Sequence, residues 1–205
     1  MKGATNPQSF DQIVRNVFAP IYPVIAEQIV AKTSIKSGRC LDAGCGTGAL
    51  GIALANITDM HITFFDQSDE MLNLSSQYAT LNDLDNRSSF IQGDIHTIPL
   101  PDEDVHLVIS RGSSPFWEDW HQAYREILRI LKPGGMAYIG GGFGNAELRE
   151  KIIATMNENN PNWRNSFKDR IKPEREALPG ILDALAPSSY QIIDDESGFW
   201  AVFTK

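Results

Sequence analysis

Apolar residues recur along this chain with two periods. Short runs at Arg39–Ala43, His61–Phe65, Ser89–Gln92, Val105–Ser110 and Met136–Ile139 alternate with longer stretches in which apolar positions return every three or four residues. The short runs read as strands and the longer stretches as amphipathic helices. Helices are expected at about Thr47–Asn56, from a Ser68 cap to about Leu81, at Glu118–Leu131 and at Asn145–Asn157. In the third of these, Trp120, Tyr124, Ile127, Leu128 and Leu131 form one stripe. Strand and helix in alternation predict an α/β fold on a parallel sheet. Val105–Ser110 is almost wholly apolar, as a strand covered on both faces requires.

The two ends read differently. Phe10, Ile13, Val14, Val17, Phe18, Ile21, Tyr22, Ile25 and Ile29 keep helical spacing. Pro20 and Pro23 interrupt them, so two helices are expected, the second over about Pro23–Lys32. Residues 1–9 are polar and are expected to fray. Residues 158–180 are polar and punctuated by proline, and read as a loop, a short helix or a cap, before a helix at about Gly180–Ala186. Tyr190–Asp194 and Phe199–Phe203, joined by a turn at Glu196–Gly198, read as a closing hairpin.

Bulk properties narrow the classes. A chain of 205 residues has room for one domain with a sizeable core and not for two of ordinary size. It reads as a single domain over residues 1–205, with a helical cap over 1–36. Eighteen Lys and Arg against 26 Asp and Glu give a net charge of −8, which argues against a nucleic-acid partner. There is no long apolar run for a membrane span and no N-terminal signal pattern, so a cytoplasmic protein with no membrane partner is expected. Oligomeric state has no sequence signal. The two cysteines, Cys40 and Cys45, flank one turn and read as small residues in a packed environment. With no histidines clustered about them, they make no metal site.

That turn is the candidate site. Cys40-Leu41-Asp42-Ala43-Gly44-Cys45-Gly46-Thr47-Gly48-Ala49 joins the end of a strand to the start of a helix. Glycines there allow positive φ and let a ligand approach bare backbone, and the helix supplies unpaired N–H groups. Gly44-x-Gly46-x-x-Ala49 fits a dinucleotide fingerprint. Asp42, however, places negative charge two residues before the first glycine, where a pyrophosphate would sit. That charge suits a cation. S-adenosylmethionine (SAM) carries an ammonium and a sulfonium and no phosphate. Asp66 closes the second strand about twenty residues on, where either ligand class finds a carboxylate for its ribose hydroxyls.

Leu41-Asp42-x-Gly44-x-Gly46-x-Gly48, Asp66-Gln67-Ser68-x-x-Met71, Gly93-Asp94-Ile95, the run Ile98-Pro99-Leu100-Pro101-Asp102, and Arg129-Ile130-Leu131-Lys132-Pro133-Gly134-Gly135 together resemble the class I SAM-dependent methyltransferases. The resemblance covers about residues 39–142 by motif. It is nearest to the small-molecule group of ubiquinone and menaquinone biosynthesis. The segments at 110–119 and 138–145 are similar to those of a smaller prokaryotic, partly archaeal subgroup of candidate methyltransferases.

The resemblance implies a Rossmann-like seven-stranded sheet with helices on both faces, an antiparallel last strand and an N-terminal helical lid. It implies SAM as cofactor, S-adenosyl-L-homocysteine (SAH) as product and a small-molecule acceptor. By it, Gly44, Gly46 and Gly48 lie against the methionine and ribose, and Asp42 near the ammonium. Asp66 belongs to the ribose site and Gln67 beside it to the cofactor site, while Met71, Gly93, Asp94 and Ile95 belong to the adenine site. Ser110 and Arg111 approach the methionine moiety. An Arg at 111 departs from the family pattern, and could bind the SAM carboxylate, an anionic substrate or a surface acid. Met71 has the alternative of a core position, and Ser68 caps its helix with or without a ligand.

Tyr22, Arg111, Phe116 and Trp117 are candidate walls of an acceptor site; the three aromatics have cation–π contact to the sulfonium as another role, and Tyr22 has helix packing as its alternative. A sulfonium methyl needs no activation, so positioning and exclusion of water can supply the rate. Candidate bases are His96, Asp119 and His121; each has a plainer structural reading, and no catalytic residue is assigned. The Gly140–Gly144 cluster permits close approach of a substrate or of the following helix. Two rival functions stay in view: a SAM-binding partner or sensor without turnover, and, less favoured by Asp42 and Gly93-Asp94, an NAD-dependent oxidoreductase.

Overall fold

The protein's structure, a computed structural model, describes residues 6–205 apart from the side chains of residues 159 and 164–168. The expected fraying of residues 1–5 lies outside the described residues. Asn6 accepts from the backbone of Gln8 and Ser9 and caps helix α1, Pro7–Ile13. This helix continues as a π-helical turn, Val14–Phe18. It bends by 75° into α2, Ile21–Thr33. The break falls at Ala19-Pro20 and not at Pro23. Pro23 sits in the first turn of α2, where its missing N–H would have had no partner in any case.

The strands are β1 (Ser37–Ala43), β2 (Asp59–Asp66), β3 (Ser88–Gln92), β4 (Val105–Arg111), β5 (Leu131–Gly142), β6 (Ser189–Asp195) and β7 (Gly198–Thr204). They form a seven-stranded sheet in the order β3-β2-β1-β4-β5-β7-β6. β7 runs antiparallel to both of its neighbours, and the other ladders are parallel. The helices between are α3 (Ala49–Ala55), α4 (Asp69–Leu81), α5 (Trp120–Ile130), α6 (Ala146–Asn159) and α7 (Trp163–Leu185). The Lys132-Pro133-Gly134-Gly135 turn does not precede β5 but bulges within it, for pairing with β4 already begins at Leu131.

Strand alternation sorts the core into two layers. Cys40, Leu107, Ile109, Tyr138 and Trp200 face α2, α3, α4 and α6. Leu41, Val108, Ala137, Ile139, Ala201 and Phe203 face α5 and α7. Among the described residues no single helix is long and apolar enough to cross a membrane.

Helix α7 is the main correction to the sequence reading. Residues expected as a loop with a short terminal helix form one helix of 23 residues, with Pro173 and Pro179 inside it. Its stripe is Ile171, Glu174, Leu178, Leu182 and Leu185, with Leu178 and Leu182 buried on the sheet. Tertiary packing of this stripe outweighs two missing hydrogen bonds. The glycines at the end of β5 also make room for backbone. A Cβ at Gly140 would lie 2.1 Å from the Phe199 carbonyl, and one at Gly142 would lie 2.0 Å from that of Ser197. They admit the backbone of the β6–β7 hairpin, while Gly144 meets Val24 of α2 and Leu148 of α6, the helix that follows.

Candidate functional site

The order β3-β2-β1-β4 brings four carboxyl strand ends side by side, with β1 as the point where the winding reverses. Asp42, Asp66, Asp94 and Ser110-Arg111 are thereby gathered from 70 residues of sequence along one edge of the sheet.

The glycine turn after β1 carries three positive φ angles, 67° at Gly44, 54° at Gly46 and 81° at Gly48. The amides of Gly44 and Cys45 both donate to the Phe65 carbonyl, at 2.8 and 3.0 Å, tying the turn to the end of β2. Gly48 is the packing glycine: a Cβ there would lie 2.9 Å from Ser75 Cβ and 3.1 Å from the Phe64 ring. Gly44 faces Ser113, whose hydroxyl donates to the Ala43 carbonyl and is 2.6 Å from that of Ser110. A Cβ at Gly46 would meet only the ring of Phe10, at 3.2 Å. The N-terminal helix thus lies over the turn.

Each carboxylate at the edge is engaged differently. Asp42 is 2% exposed and accepts from the Gly51 amide at 3.0 Å, an otherwise unpaired donor of the first turn of α3. Burial raises its pKa from 3.8 to about 7, against the pull of the Gly51 bond and with a further push from Asp66. Asp66 accepts from Gly46 N–H at 2.9 Å and from Ser68 N–H at 3.0 Å, so it braces the glycine turn. Burial raises its pKa too, opposed by these amides. Asp94 is exposed, and its Oδ1 accepts from the backbone N–H of His96 and lies 2.5 Å from that ring's Nδ1. The backbone bond first, then the imidazole, lowers its pKa.

The remaining predicted residues fall in three groups. Gln67 is exposed beside Asp66, its carbonyl held by Gln92, and Met71 is half-buried in the first turn of α4 with its amide on Ser68 Oγ. Gly93 packs on Phe65, and Ile95 is buried below the edge. Tyr22 and Trp117 are core residues, 7% and 8% exposed, and Trp117 meets Tyr124 edge-on. Phe116 projects to solvent under the Arg170 guanidinium. Arg111 is enclosed: its guanidinium carbon lies 4.8 Å from the Phe18 ring centroid, 5.6 Å from Tyr22 and 5.5 Å from Phe143, while Nε donates to the Gly142 carbonyl.

The candidate bases are occupied. His96 places Nδ1 on Asp94 and accepts the Asp119 amide on Nε2, which puts the proton of the neutral ring on Nδ1. Asp119 caps α5 through the Gln122 amide. His121 lies 3.4 Å from Arg125. One ionisable group near this edge belongs to no motif. Glu174 of α7 is 4% exposed beneath the carboxyl ends of β4 and β5. Its sequence signal is an acid occupying an apolar position of the α7 stripe.

Whether these residues suit SAM can be judged from the cradle itself. A Cβ at Gly46 would meet only the Phe10 ring, the carboxyls of Asp42 and Asp66 make the edge acidic, and among the described residues no basic side chain hydrogen-bonds to the turn where a phosphate would need one. The fit is to a cationic nucleoside, with the Phe10 ring lying over Gly46.

Comparison with known proteins agrees. Residues 41–139 match a family model described as a methyltransferase domain. The chain is 30% identical over 121 residues to the sterol 24-C-methyltransferase of Aspergillus fumigatus, a match over 57% of this chain and 32% of that one. It is 33% identical over 102 residues to the demethylmenaquinone methyltransferase of Chlorobaculum tepidum, a match over 49% of this chain and 39% of that one. The chain therefore spans about a third of the length of these relatives. A crystal structure of a candidate SAM-dependent methyltransferase from Methanococcus maripaludis is similar throughout, with 42% identity, a TM-score of 0.93, and coverage of 100% of this chain and 97% of that one. With the glycine turn, the sheet order and a match of that extent, this chain belongs to the class I SAM-dependent methyltransferases.

Proposed function

We propose that the protein transfers the methyl group of SAM to a small-molecule acceptor. The observation that carries this reading is the brace between Asp66 and the Gly46 amide, which holds an acidic, glycine-walled cradle at the reversal point of the sheet. When bound, SAM supplies an electrophilic methyl group on a sulfonium, and the thioether leaves without protonation. The chain's own work is to hold, orient and dry the reactants.

Gly44 and Gly46 offer bare backbone to the methionine and ribose portion, and Gly48 closes the helix onto the sheet. Asp42 sets the negative potential that favours an ammonium. Asp66 and Gln67 serve the ribose hydroxyls with the lone pairs that the backbone leaves them, and Met71, Gly93, Asp94 and Ile95 frame the adenine. Ser110 holds Ser113 in place beside Gly44. Arg111 clamps Phe18, Tyr22 and Phe143, and so fastens the helical cap of a single domain. The sterol and quinone acceptors named for the relatives support a small organic acceptor, and the excess of acidic residues speaks against nucleic acid. Two free thiols beside the turn suit the reducing conditions of the cytoplasm.

Calorimetric titration with SAM, SAH and NAD in parallel tests the proposal. Binding of both adenosyl ligands and not of NAD is expected. NAD binding without SAM binding would overturn it. SAM binding with no methylated product from any acceptor would favour a sensor or partner protein.

A further inference from the structure

Glu174 lies outside the cradle, and its surroundings are unusual for a carboxyl group. It is 4% exposed, on the side of the sheet covered by α5 and α7. It is held by a long hydrogen bond, 3.4 Å from the Tyr124 hydroxyl. Ser114, 1% exposed, stands near enough to help hold the charge, yet its Oγ makes no hydrogen bond of ordinary geometry and has no partner among the described residues. A buried hydroxyl that meets its neighbour only outside that geometry keeps hydrogen-bonding capacity that a polar group between the two would satisfy.

Both side chains line one cavity. Its floor is bare backbone at Gly112, Gly140 and Gly141, and its apolar walls are Pro115, Ile171 and Phe199. Its volume is about 20 Å³, room for a single heavy-atom group. The cavity adjoins the cradle through consecutive residues: Ser113 touches Gly44, and Ser114 faces Glu174. Burial raises the Glu174 pKa; the neighbours that lower it are Ser114, Tyr124 and Arg175.

We propose that this cavity is the head-group site of the methyl acceptor, taking one hydroxyl or amino group whose O–H or N–H donates to Glu174 and whose lone pair is left for the methyl group; a hydroxyl has a second lone pair, which accepts from Ser114. The inference rests on the methyltransferase reading above. The cavity takes that group alone, and the rest of the acceptor lies outside its apolar rim. On transfer the heteroatom–methyl bond forms, the methyl–sulfur bond breaks with its electron pair left on sulfur, and the acceptor's proton passes to the Glu174 carboxylate. A carboxylate of raised basicity suits that task.

The test uses the full chain saturated with SAH and three probes of one shape: benzylamine, benzyl alcohol and toluene. Backbone amide shifts of Gly112, Gly141 and Ile171 report occupancy. Saturable shifts with the amine or the alcohol, at least tenfold tighter than with toluene, are expected, and which of the two binds identifies the head group. Glu174→Gln should weaken that binding at least tenfold and leave SAH affinity within twofold. Gly141→Ala is the second variant, since its added methyl meets nothing nearer than Gly112 at 4.0 Å and fills the cavity without disturbing the fold; it should abolish the shifts. Equal binding of toluene, no shift with any probe, or full affinity in Glu174→Gln would overturn the inference. Loss of SAH binding by the wild-type chain would instead refute the cofactor reading, and the amide shifts are read independently of it.

Discussion

Cofactor binding should release a proton, and Asp42 should be its source. Its carboxyl is 2% exposed and its pKa is raised by burial from 3.8 to about 7, so near pH 7 about half of the molecules carry the proton. A ligand ammonium brought up to this carboxyl favours the ionised form. If it draws the pKa down to about 5, binding at pH 7 releases about 0.5 proton, rising to about 0.8 at pH 6 and falling to about 0.1 at pH 8. Titration calorimetry in buffers of different ionisation enthalpy measures this number directly. Asp42→Asn keeps the shape and an acceptor for the Gly51 amide, and removes the titration. The difference between wild type and variant isolates Asp42 from every other group. Equal proton release by the two at pH 6 and pH 7 would refute the reasoning.

The same shift has a consequence for the unliganded protein. A carboxyl whose folded pKa lies above its unfolded value binds more protons folded than unfolded, so it favours folding at low pH. Its contribution is lost as pH rises from about 4 to about 7. The full span is ~4 kcal/mol, and Asp42→Asn should remove that slope from a urea-unfolding series across pH.

Asp66→Ala removes the acceptor for both Gly46 and Ser68, so it should cost ~1–3 kcal/mol in stability as well as at least tenfold in SAM affinity; an unchanged affinity by calorimetry would free Asp66 of its ribose role. Arg111→Lys gives up the bond to Gly142 and the planar stacking on three rings, and should lower unfolding stability by ~1–2 kcal/mol, with SAM affinity little changed. A large loss of SAM affinity would instead place Arg111 at the ligand. Tyr78 donates to Asp11 and accepts from Arg15, pinning the helix that carries Phe10, so Tyr78→Phe should speed hydrogen exchange in residues 7–13 and quicken SAH release in stopped-flow; unchanged rates would show that this contact does not restrain the lid.

Short-range chemistry explains why so much of this molecule could be read from residue order. The five parallel strands, the glycine turn and the caps at Ser68 and Asp119 depend on neighbours within a few positions, and most stand within a residue or two of where apolar period and turn chemistry place them. The same holds for Asp42 and Asp66, which stand at the ends of their strands, and for Asp94, two residues past the end of β3, because an acid at or just beyond a strand's end lies at the sheet edge wherever the strand lies. Local rules failed where a long-range contact decided the outcome. Pro173 and Pro179 argue for a break, but α7 gains more from laying Leu178 and Leu182 on the sheet than two missing amide bonds cost.

What residue order could not convey is which polar groups end up buried together. Asp42 reads as a ligand carboxylate, but only the approach of α3 turns it onto Gly51 and lifts its pKa to about 7. Nor does residue order show that Tyr22 and Trp117 end up 7% and 8% exposed, packed against Arg111 and Tyr124. Glu174 lies 60 residues from Ser114 and 50 from Tyr124, and no local pattern joins them. Hydrophobic period and turn chemistry act through near neighbours and so are written in order along the chain. Desolvation and pairing depend on what arrives from elsewhere, and those are settled only when the sheet and its helices close.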